Sequence, residues 1–111
     1  MEPVTQFTAE LSFHFREHGA DRQQRFVFGE NLHRRVPMKM DGVIGLNTVG
    51  MWVGVAQGFQ RHDSTTVRCV VLEPKLFVDV IKPGVKFELW DGGFFACGKV
   101  IARVDAGWRK P

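Results

Sequence analysis

Tyrosine is absent from these 111 residues, and serine and cysteine occur twice each, at Ser12, Ser64, Cys69 and Cys97. Neither serine lies in a G-x-S-x-G context, so no nucleophile elbow is expected. Both cysteines sit in apolar, strand-like runs and read as small buried hydrophobes. A disulfide between them is not expected in a reducing compartment. His14, His18, His33 and His62 lack H-x-x-H or H-E-x-x-H spacing, so no metal site is expected, and nothing points to another cofactor. No apolar run approaches the roughly 20 residues that span a bilayer. Met1-Glu2-Pro3-Val4-Thr5-Gln6 lacks the basic and apolar regions of a signal peptide. A cytoplasmic location and no membrane partner are the expectation. Strong charge is lacking too. A net charge of +3 and a pI near 9.2 fall short of a sequence-independent DNA binder but permit RNA or an acidic protein as partner.

Helical periodicity is missing as well, and alternation takes its place. Phe7, Ala9, Leu11, Phe13 and Phe15 hold odd positions while Thr8, Glu10, Ser12, His14 and Arg16 hold even ones. A period of two sustained over ten residues predicts a strand with one face in a core. A polar loop over 17–24 then leads to a short return strand over Arg25 to Phe28. Gly29 to Pro37 reads as a loop or edge stretch. Met38-Lys39-Met40 leads to a turn at Asp41-Gly42, and Val43-Ile44 is a brief apolar piece. Val49 to Ala56 reads as a strand that Gly50 and Gly54 bend or open to close backbone approach. Thr66 to Leu72 is another strand, and Glu73 to Asp79 a short helix or irregular crossover. Val85, Phe87 and Leu89 alternate with Lys86 and Glu88 before an Asp91-Gly92-Gly93 turn, and Phe94 to Val104 runs back as a hairpin. One domain over residues 1–111 is expected, all-β, a small sandwich or closed barrel.

Several of these stretches resemble a known family. Lys82-Pro83-Gly84-Val85-Lys86-Phe87-Glu88-Leu89-Trp90-Asp91-Gly92-Gly93 is similar to the end of the C-terminal β-barrel domain (domain III) of bacterial elongation factor Tu. Phe7 to Leu11, the polar loop and Arg25-Phe26-Val27-Phe28 resemble that domain's first hairpin. Thr66 to Pro74 resembles its penultimate strand, and Val85 to Val104 its closing hairpin; Glu30 to Gln60 matches poorly. The resemblance implies a six-stranded antiparallel closed barrel without catalytic residues. In the family that barrel helps hold the T-stem of aminoacyl-tRNA and packs on a GTPase domain, which this sequence does not contain. The family's Gly-Gly-Arg turn is Gly92-Gly93-Phe94 here, an aromatic in place of a phosphate-facing guanidinium.

Gly93-Phe94-Phe95-Ala96-Cys97-Gly98-Lys99 approaches a phosphate-binding loop, but Val100 replaces the hydroxyl residue and the context is a strand, so no nucleotide is expected. Two surfaces remain. Trp90, Phe94 and Phe95 flank the hairpin turn, where parity cannot bury all three, and an exposed aromatic tip suits a protein-binding hot spot. Arg22, Arg25, Arg34, Arg35 and Lys39, with Lys99 further on, suit phosphate contacts; the alternative is an ordinary solvated face interleaved with Glu17, Asp21 and Glu30. The leading expectation is a non-catalytic module that docks a protein partner, immunity- or antitoxin-like in one version. An RNA-binding barrel and an enzyme with a barrel-mouth site are the alternatives.

Overall fold

The computed structural model describes residues 4–14, 26–27, 32–54, 58–59 and 62–108. Phe7, Ala9, Leu11 and Phe13 of β1 (Phe7–Phe13) are buried, with Thr8, Glu10 and Ser12 on the opposite face. β1 is flanked on both sides by antiparallel strands, β6 (Ser64–Val71) and β8 (Phe94–Arg103). With β3 (His33–Met40), β4 (Asn47–Trp52) and β7 (Lys86–Trp90), they close a six-stranded antiparallel barrel in the order β1-β6-β4-β3-β7-β8. The all-β barrel expected from the sequence is therefore present. β2 (Phe26–Val27) and β5 (Gly58–Phe59) pair with each other as a separate ribbon.

Side chains fill the barrel. Phe7, Leu11, Met38, Met51, Val67, Phe87 and Leu89 are among the buried residues that meet in one core. Phe87 stands opposite Gly98, and a Cβ at Gly98 would overlap the Phe87 ring. Glycine is thus required on β8 to let a large aromatic cross the interior.

Two sequence expectations need correction. The return strand over Arg25 to Phe28 does not form a hairpin with β1: its described part, β2, pairs with β5, while β6 and β8 occupy both edges of β1. The stretch from Gly29 to Pro37 is not a loop throughout, because β3 begins at His33. Val36, Met38 and Met40 carry its buried face, although Arg34, Arg35 and Pro37 mask that alternation in the sequence. Smaller shifts affect the ends of β4 and β6.

The chain crosses the barrel after β6 through α1 (Pro74–Phe77), which starts on proline and buries Phe77. Proline suits a first helical position because its missing N–H would have no partner there. A polar clasp closes this end. Buried Gln6 accepts from Val71 N–H at 2.8 Å through Oε1 and donates from Nε2 to Gly107 O. Trp108 Nε1–H donates to Gln6 O at 2.9 Å, and Arg103 reaches Val78 O and Ile81 O while stacking on Trp108.

Candidate functional site

The β7–β8 turn, the start of β3 and the ends of β1 and β4 share one barrel end, here the tip end. Gly92 takes a positive φ of 69° in the turn, and Trp90 pairs with Phe94 across it. A register shift at Leu89/Trp90 leaves Phe95 as the extra residue on β8. Such a bulge redirects a side chain that strict alternation would send outward. Phe95 is only 6% exposed and its ring lies 6.3 Å from Phe13, which stacks on Phe59 at 5.1 Å. Phe95 is therefore part of the plug that seals this end, not of an exposed tip. Phe94 is half-buried, and Trp90 is exposed at 38%.

Strand parity leaves Trp90 on the outer face with Lys86 and Glu88, and proline accounts for the end of the ladder beside it. Asp41 N–H donates to Lys86 O across the β3–β7 seam. Alternate residues send their N–H groups to the same side of a strand, so Lys39 and Pro37 also face β7. Proline has no N–H to give. The pairing of β3 with β7 runs over Met38–Met40 against Phe87–Leu89 and stops short of Pro37. Beyond it the two strands are joined by side chains, with Arg34 Nη2 3.6 Å from Asp91 Oδ2.

The basic candidates do not form one stripe. Arg22 and Arg25 lie outside the described residues. Arg34 is engaged with Asp91. Lys39 stands opposite Glu88, and Lys99 stands between Glu10 and Lys86. Arg35 is exposed opposite Gly50. His33 and Trp52 cover Gly50: their rings lie 4.2 Å apart, and a Cβ there would meet His33 Nε2 at 3.0 Å. Gly54 shows no such close approach and lies instead in a bend, the other of the two roles the sequence suggested.

The cysteines separate. Cys69 is buried in the core, and burial pushes its thiol pKa up. Cys97, expected inside, is exposed on the outer face between Ser12 and Glu88. The outward parity of β8 decides this, since Ala96 and Gly98 take the inward positions beside it. Cys97, Ser12 and Glu88, with Glu10, Lys86 and Lys99, line an open concavity of about 430 Å³. Among the described residues no three His, Cys, Asp or Glu side chains converge as a metal site would require.

Sequence reasoning missed the opposite, crossover end. Ile44 is 97% exposed there, and Leu46, Leu72 and Leu76 are each about half exposed. The signals were present: Leu72 continues the outward parity of Thr66 and Arg68, and Gly42 and Gly45 bracket Ile44. The chain matches no known family model and no curated protein.

Proposed function

We propose that this chain is a non-catalytic protein-docking barrel, similar in design to the C-terminal barrel of elongation factor Tu, whose tip end receives the partner. The observation that carries this reading is Trp90, exposed at 38% on the outward face of β7 at the rim, next in sequence to Asp91 and its ion pair with Arg34. A flat, rigid aromatic beside paired charges is the composition of a binding hot spot. Three further features support it. Side chains fill the barrel, so a ligand would bind outside it. The six barrel strands close on themselves, so recognition on the barrel wall would run through side chains rather than strand addition. Lys39, Lys99 and Arg34 lie near carboxylates, which disfavours a phosphate-binding stripe.

The test is affinity capture with the tagged chain from native lysate, split into nuclease-treated and untreated halves. A protein retained through nuclease and lost with Trp90→Ala plus Phe94→Ala is the expected result. Truncating a hot-spot anchor of about 2 kcal/mol corresponds to roughly 30-fold weaker binding. The variant should keep the parent's circular dichroism spectrum and cooperative melting. Capture that collapses with nuclease and weakens steeply with salt would move the function to RNA.

A further inference from the structure

The crossover end presents apolar side chains on a firm support. Ile44 sits in the 41–46 loop, where Gly42 and Gly45 take positive φ angles of 88° and 81°. Val43 N–H donates to Met40 O, and Asn47 Nδ2 donates to Ile44 O, so both flanks of the loop are tied back. The loop adjoins the segment after α1, because the space a Cβ would occupy at Gly42 is 3.4 Å from Val80. Leu72 N–H donates to Thr48 O, which sets Leu72 beside the start of β4 and hence near Leu46. Leu76 projects from α1 on the same end. These four residues stand on adjoining segments, in a chain whose other large apolar side chains are mostly in the core. Exposed apolar side chains gathered at one end in this way mark an interaction site.

The surrounding charge selects the occupant. Lys39, Lys75 and Lys82 face Asp41, Glu73 and Asp79 in number, three of each sign, and all six are exposed. Among the described residues none of the six is engaged in an ion pair. A partner of one net sign would be matched by a rim of the other. A balanced rim around an apolar centre instead suits a self-complementary contact, in which each charge meets its opposite on an identical surface. Glu73 and Lys75 flank Pro74 at the start of α1, so a two-fold axis near that proline brings Glu73 of each chain to Lys75 of the other.

We infer that the crossover end is a homodimer interface, with Ile44, Leu46, Leu72 and Leu76 at its centre and Glu73 paired with Lys75 across the two-fold. It is independent of the docking reading, which concerns the other end of the barrel. Sedimentation equilibrium over a micromolar-to-millimolar concentration series tests it. The parent chain is expected to pass from one-chain to two-chain mass, and Ile44→Asp to remain at one-chain mass throughout. Ile44 is 97% exposed, so at concentrations where both proteins are single chains its replacement leaves melting unchanged, which separates lost association from lost structure. Glu73→Lys and Lys75→Glu should each weaken the dimer at least tenfold. Their equimolar mixture should restore it, since both cross-chain pairs become attractive again. A parent chain that stays at one-chain mass, a dimer indifferent to Ile44→Asp, or a mixture that fails to associate would each overturn the inference.

Discussion

The two ends of the barrel are closed by different physics. At the tip end Phe13, Phe59 and Phe95 form the plug, and the backbone carries strain. Leu32 and His62 both adopt positive φ, 58° and 74°, where a side chain crowds its own carbonyl. At the crossover end the sharp turns fall on Gly42, Gly45 and Gly84, and closure comes from Phe77 and Ile81 together with the hydrogen-bonded clasp of Gln6, Arg103 and Trp108. Dispersion between rings tolerates small displacements, whereas a buried polar clasp holds its partners in fixed directions. The tip end thus carries Trp90 over a plug of packed rings, while at the other end hydrogen bonds set both the clasp and, separately, the loop that carries Ile44.

The largest way to break this contrast is to remove the ring at the centre of the plug. Phe13 stacks between Phe59 and Phe95, so Phe13→Ala opens a cavity bounded by both. A loss of about 3–5 kcal/mol in chemical denaturation is expected from a phenylalanine deletion in a packed interior. Hydrogen exchange should rise first in the strand ends around His14 and Asp63, before the Gln6–Trp108 clasp loosens. Uniform exchange at both ends would show that the two closures are one cooperative unit.

At the clasp the decisive atom is Oε1 of Gln6, the acceptor for Val71 N–H. Gln6→Leu keeps most of the volume and removes that acceptor, leaving a buried donor without its bond. The expected cost is about 1–3 kcal/mol, smaller than at the plug because only polar satisfaction is lost. Its signature is directional: Trp108 fluorescence should shift as the 3-10 turn Asp105–Trp108 loses the bond from Gln6 Nε2 to Gly107 O. An unshifted spectrum would mean that Arg103 and the backbone carbonyl of residue 6, which still accepts from Trp108 Nε1–H and Val104 N–H, hold the turn without the Gln6 side chain.

What the sequence revealed differs between the ends for the same physical reasons. Alternation in Phe7 to Phe13 and in Val85 to Leu89 is a local signal, and both strands appear where the spacing places them. Pro74 likewise marks the start of α1. β3 was hidden because Pro37 and the Arg34-Arg35 pair look like a loop. Yet a proline is tolerated on a strand where the neighbouring ladder has already ended, as it has at the β3–β7 seam. The bulge that buries Phe95 shifts parity by one residue, which no count of alternating positions reveals. Ile44 was read only as an apolar piece, because its exposure depends on a loop that two glycines turn away from the core. Trp90 was legible as a docking candidate because it continues the outward parity of Lys86 and Glu88; the end of the β3–β7 ladder beside it was not.

The smallest expected effect runs the other way and sharpens the claim of strain at the tip. His62 is exposed, holds φ at 74°, and donates its backbone N–H to Phe13 O at 2.8 Å. Glycine keeps that N–H and removes the Cβ that opposes the left-handed conformation. A non-glycine residue costs roughly 1–2 kcal/mol there, and the added freedom of glycine in the unfolded chain offsets part of the relief. His62→Gly should therefore stabilise the protein by about 0.5 kcal/mol, visible as a higher denaturation midpoint at unchanged slope. The same change at an unstrained exposed position would lower the midpoint, since glycine there only adds unfolded-state entropy. A lower midpoint for His62→Gly would mean that the imidazole stabilises the folded state by more than its backbone strain costs. The tip end would then not be the strained half of the barrel.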